Sequence, residues 1–256
     1  MEPSAGADLA VESGSLTSVS SSDPVNLPSE ERELAQRPIP AWLRETQGES
    51  RIPVTLTIAV AIALQVLLPN HLSPGPRWLI PGLATVLFIT VTAANPIRMT
   101  REHPLLRAAS LILIALMSIA NSVSAALLIR GILTGTAERK PAALLGTGAA
   151  IYLTNIAIFA MWYWEFDRGG PFARAGARRK HPDFLFPQMQ SEWAAHPDWE
   201  PYFLDYLYVS FTNAAAFSPT DTMPLSRWAK MLMLVQSAVA LLTIGLVIAR
   251  AVNILK

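Results

Sequence analysis

YFLDYLYVSFTNAAAFSPTDTMPLSR, residues 202–227, is the most informative segment of this chain. Residues 202–216 are apolar enough for a helix but fall short of the roughly 20 residues that a bilayer crossing needs. An apolar helix of this length is expected to lie at the interface or to enter the membrane and return. Ser218-Pro219 stops it, because proline fixes φ and lacks an N–H. Next comes a long apolar run, residues 228–254, opening with Trp228. Non-helical backbone is tolerated at membrane depth only when buried in protein or lining a water-filled path. A turn such as AFSPTD held at that depth therefore predicts a pore or cavity, and a short helix aimed at it adds a fixed dipole.

Upstream lie four more apolar runs: residues 52–69, 78–97, 105–133 and 141–164. The first is short for a crossing, the third is long enough to span with tilt, and the fourth ends in Trp162-Tyr163-Trp164, which reads as an interfacial aromatic belt. Over the whole 256 residues, 52% are hydrophobic and only 15% charged, where soluble domains carry about 25%. The expected fold class is therefore all-α: a polytopic membrane helical bundle with five transmembrane helices and one re-entrant pore-type helix.

The organisation reads as an exposed tail over 1–50, a three-helix membrane region over 51–140, and a final region over 141–256. The tail is rich in Ser, Pro, Glu and Gly, and residues 1–35 read as disordered because they bury too little apolar area to offset ordering entropy. Residues 38–48 read as a linker, with Trp42 and Leu43 able to touch the membrane surface. The runs do not form two matching halves, which excludes an inverted-repeat transporter. The linker between the fourth and fifth runs starts with a basic stretch, FDRGGPFARAGARRKHP.

Residues 202–254 resemble the pore module of the tetrameric potassium channels, of the two-transmembrane type. In that family a pore helix runs into TVGYGD, followed by a proline and the inner helix. Here DYLYVSFTNA matches the pore helix, including Thr212 near its end. Asp221 matches the Asp after the filter, Pro224 the following proline, and Trp228, Ala229 and Lys230 the start of the inner helix. With residues 141–166 as outer helix, 167–201 as linker, 202–216 as re-entrant helix, 216–221 as filter-like turn and 226–254 as inner helix, the resemblance covers about the last 115 residues. It implies a homotetramer in a lipid bilayer with monovalent cations as the transported species. The filter itself departs from the family: Ala216-Phe217-Ser218-Pro219-Thr220 stands where both glycines are needed to turn carbonyls inward. Potassium selectivity is thus not implied. The expected ion-facing groups are Ser218, Thr220 and Asp221, with Thr212 and Gln236 as further candidates on the pathway. The alternative is a non-conducting structural or regulatory membrane protein that keeps the pore-module fold.

Basic residues point the other way on orientation. Arg37, Arg44, Arg51, Arg98, Arg101, Arg107 and the start of the long linker would all face the cytoplasm with the N-terminus, whereas a channel places that linker outside. Asn121 and Asn155, in mid-membrane, read as interhelical hydrogen-bonding amides. Small residues of the fourth run, Ala142, Gly146 and Thr147, read as close-packing positions. Glu165 and Asp167 read as juxtamembrane solvated acids, and His181-Pro-Asp183 and His196-Pro-Asp198 as polar turns. No cysteine is present, which excludes disulfides and thiolate chemistry. No nucleotide fingerprint or metal motif occurs, a net charge of +1 points to no nucleic-acid partner, and neither an enzyme nor a cofactor is expected. The Arg- and Ala-rich composition suggests a bacterial inner (plasma) membrane.

Overall fold

Apolar runs and helices coincide along the chain. A computed structural model describes residues 39–255 apart from 74, 77, 95–103, 139, 192–194 and 217–220. The stretch read as disordered, 1–35, and the filter-like positions Ser218 and Thr220 lie outside the described residues. The helices are α1 (Ile52–Leu67), α2 (Leu79–Ala94), α3 (Pro104–Leu133), α4 (Pro141–Phe166), α5 (Pro171–Ala175), α6 (Pro187–Gln190), α7 (Phe203–Ala216) and α8 (Arg227–Leu255). Two short strands, β1 (Phe184–Leu185) and β2 (Met223–Pro224), pair antiparallel.

Three of these helices, α3, α4 and α8, are long and apolar enough to cross a membrane. At 1.5 Å per residue each is about 40–45 Å long. The 16-residue helices α1 and α2 reach only about 24 Å. Proline in the first turn, Pro53 in α1 and Pro141 in α4, starts a helix where an N–H would be unpaired in any case.

Helix α4 is the centre of the bundle. Its most apolar window is 61% buried, against 44% for α3 and 28% for α8, and α1, α3, α7 and α8 all pack on it. Helix α8 runs antiparallel to α4: Trp228 meets Phe166 at one end and Val247 meets Gly148 toward the other. A Cβ on Gly148 would lie 2.8 Å from a Val247 methyl, whereas one on Gly146 would meet nothing within 4 Å. The close approach of the two helices thus falls at Gly148, not at the expected Gly146.

Helix α7 starts at the end where α4 finishes, with the Phe203 ring edge-on to Trp164. It descends along α4 as far as Ala214, which packs with Ile156 and Ala240. The chain then comes back, and β2 pairs with β1 beside the ring of Phe184, which meets Tyr163 at a tilt and Trp228 edge-on. Entry to α7 and entry to α8 therefore lie at the same end of the bundle.

Outward faces are apolar rather than polar. Leu56 and Val60 on α1, and Leu234, Leu241, Ile248 and Val252 on α8, are exposed, and a contiguous apolar exterior of this kind marks contact with a bilayer or another protein. The aromatic trio is a correction to the belt expectation: Tyr163 and Trp164 are buried inside the protein, and only Trp162 is partly exposed, donating from its indole to Ser118 Oγ at 2.9 Å. The tail expectation is corrected too. Ile39–Ser50 belongs to the helical unit, with Ala41 and Glu49 buried and the Thr46 N–H donating to Ala175 O.

Candidate functional site

Two polar clusters interrupt the apolar bundle. The first holds α7 between α4 and α8. Gln236 of α8 is fully buried. Its Oε1 accepts from Tyr163 Oη at 2.6 Å and from Asn213 Nδ2 at 2.8 Å. Its Nε2 donates to Ser210 O and Ser210 Oγ, at 2.9 and 2.7 Å. Ser210 Oγ in turn donates to Ile156 O of α4 at 2.7 Å. Asn213 Nδ2 also donates to Met233 O, and Ser237 Oγ lies 3.1 Å from Asn213 Oδ1. Every polar atom of the Gln236 side chain is thus bonded to its own chain. Gln236, a candidate for the ion pathway, ties three helices together within the protomer, as buried polar groups must be paired.

The other pathway candidates separate. Thr212 Oγ1 turns back onto α7, donating to Tyr208 O or Val209 O at 3.0 and 3.1 Å. Asp221 is exposed, and Tyr208 Oη donates to its Oδ2 at 3.3 Å. Asn121 and Asn155 do not pair across helices as expected: the Oδ1 of each is buried and has no partner among the described residues. Gln65 instead carries an interhelical bond, from Nε2 to Met117 O at 3.2 Å.

No family model, curated protein or solved structure matches the chain.

The second cluster sits at the end of α4 and is ionic. Glu165 and Asp167 are buried, which corrects the reading of solvated acids. Asp167 Oδ2 accepts from Tyr206 Oη at 2.6 Å, while its Oδ1 accepts from the backbone N–H groups of Asp183 and Phe184. Arg174 caps the helix: Nη1 donates to Trp164 O and Asp167 O, and Nη2 pairs with Glu49 Oε1 at 3.5 Å. A cation at a helix C-terminus meets both its unpaired carbonyls and its dipole. Glu49 also accepts from the Trp164 indole and, through Oε2, from the Phe203 N–H at the start of α7. Burial pushes the Glu49 carboxyl above its ordinary range, opposed by Arg174, Trp164 and the Phe203 N–H. Arg107 Nε pairs with Glu165 at 3.5 Å.

The chain leaves α4 through Arg168 at φ 52°, then Gly169 and Gly170 at φ 87° and 97°. Glycine takes these angles at little cost. A Cβ on Gly170 would also come within 2.9 Å of Glu165 O, so this turn needs glycine twice over. Of the two His-Pro-Asp turns, Asp183 accepts from the Trp228 indole and the Arg168 N–H, and His196 Nδ1 accepts from the Asp198 N–H. Among the described residues no His, Asp and Glu side chains gather as a metal site.

Sequence reading missed Glu49, Arg107 and Arg174. One signal was available: charged residues beside apolar runs, in a chain this poor in charge, are buried only with partners.

Proposed function

We propose that this chain is the subunit of a pore-forming membrane protein of potassium-channel-like architecture, conducting cations without potassium selectivity. Helices α1, α2, α3, α4 and α8 are the five crossings, and α7 is re-entrant. The observation that carries the reading is the course of α7. A 14-residue helix packs on α4 and α8 with Leu204, Tyr208 and Phe211 left exposed, reaches Ile156 and Ala240 through Ala214, and the chain then returns to the end it came from. That course puts a helix C-terminus, the negative end of its dipole, inside the bundle, where it favours a cation. Asp221 stands at the return, exposed on the protomer. In a tetramer four such carboxylates form a ring of the kind that selects cations.

Flux of monovalent cations into proteoliposomes tests this. The wild-type chain should conduct, and Asp221→Asn should lower the flux. Unchanged flux in the variant dismisses the carboxylate ring.

One observation favours a second reading, a non-conducting protein that keeps the pore-module fold. The amides of Asn213 and Gln236 are saturated within one chain, which seals α7 to α8. Wild-type protein that conducts nothing, and that runs as a monomer or dimer in detergent, supports this second reading.

A further inference from the structure

A cavity of about 90 Å³ opens beside the ionic cluster, between α1, α2, α3 and the end of α4. Its wall has two chemistries. Val54, Ile58, Val91, Leu113 and Met161 form an apolar part, and Arg51, Arg107, Ser110 and Glu165 form a polar part. Among the described residues, the charged wall residues are two arginines and one carboxylate. Arg107 pairs with Glu165, and Arg174 and Arg51 also act on that carboxyl electrostatically. Arg107 is the accessible member, with its side chain 42% exposed. Its guanidinium has five donors in a planar fork, more than one carboxylate oxygen at 3.5 Å can use. Guanidinium forks match phosphate oxygens in geometry and charge.

The position of the cavity completes the match. It lies where apolar helices end and charged loops begin, which in a membrane protein is the level of the lipid headgroups. Basic pockets between transmembrane helices at that level take anionic headgroups. We propose that this cavity binds the phosphodiester of one anionic phospholipid, held on Arg107 at its accessible rim, with the acyl chains left outside it in the bilayer. The site is separate from α7 and Asp221, so it stands whether or not the protein conducts.

The test uses full-length protein in detergent, with binding followed by native mass spectrometry and by thermal stability. Phosphatidylglycerol, phosphatidylcholine and inorganic phosphate are added in separate arms. Phosphatidylglycerol should bind at about one per chain and raise the melting temperature. Arg107→Gln should weaken that binding by about ten-fold, the value of one charge-assisted contact, while Lys180→Gln, an exposed basic residue outside the cavity, should leave it unchanged. Arg107→Lys keeps the charge but loses the fork, and should fall between wild type and Arg107→Gln. Equal binding of phosphatidylcholine, or equal loss in the Lys180 variant, overturns the proposal. Stabilisation by inorganic phosphate matching that by the lipid overturns it too, since the site would then take the anion alone.

Discussion

The two polar clusters obey different rules. Deep in the bundle, Tyr163, Ser210, Asn213 and Gln236 are all neutral, and each bond joins two of the helices α4, α7 and α8. At the end of α4, Glu49, Glu165, Asp167 and Arg174 are ionisable, and Glu49 bonds to residues 115 to 154 positions away. Charge is affordable only near the aqueous boundary, where loops supply partners and residual water lowers the desolvation cost. At depth, neutral amides do the joining at far lower desolvation cost. The ionic end fixes where α4 stops and α7 starts. The neutral centre fixes how far α7 goes in.

The largest effect should come from breaking the ionic end. Arg174→Ala removes the cap on Trp164 O and Asp167 O and leaves Glu49 without its cation. A buried pair broken from one side costs about 3–5 kcal/mol, so thermal stability in detergent should collapse and yield should fall. Breaking the neutral centre should cost less. Gln236→Leu removes the acceptor of Tyr163 and one partner each of Ser210 and Asn213, at about 1–3 kcal/mol, and the double variant with Ser210→Ala should cost less than the sum of the two single variants, because the two side chains share a bond. A Gln236→Leu protein with unaltered stability but altered ion flux would return that residue to the pathway.

A third substitution sharpens the contrast by touching no polar group. Gly148→Ala drives a methyl into Val247 where α4 and α8 approach, and overpacking of this kind costs about 1–3 kcal/mol. Gly245→Ala, which would meet nothing within 4 Å, should be neutral or slightly stabilising, since alanine is the better helix former. The smallest effect is in pH. Folding raises the Glu49 carboxyl above its ordinary 4.5, so the native state holds that proton to higher pH than the unfolded chain. Its contribution is therefore fully present below 4.5 and declines as pH rises through the folded value.

The helices were legible because a bilayer-length apolar run announces itself by composition alone, as in 105–133 and 228–254. So was the short helix at 202–216, through its length and the proline after it. Which way its polar residues face was not. Gln236 stood out as the polar residue of an apolar helix, but only packing shows that Tyr163, Ser210 and Asn213 saturate it. The ionic end was hidden for a different reason. Glu49 sits in a segment that reads as a linker, and its partners Trp164, Arg174 and Phe203 come from three later elements. No local pattern links them.

The central claim is that α7 enters the bundle and comes back to its starting side. Because the chain has no native cysteine, single cysteines report sidedness cleanly. Exposed positions Lys180, before α7, and Met223, after it, are compared with exposed Thr136 between α3 and α4. A membrane-impermeant maleimide applied to intact cells should label Lys180→Cys and Met223→Cys alike, and Thr136→Cys oppositely. Labelling of Lys180→Cys and Met223→Cys from opposite sides would mean that α7 crosses the membrane, and the pore-module account would be wrong.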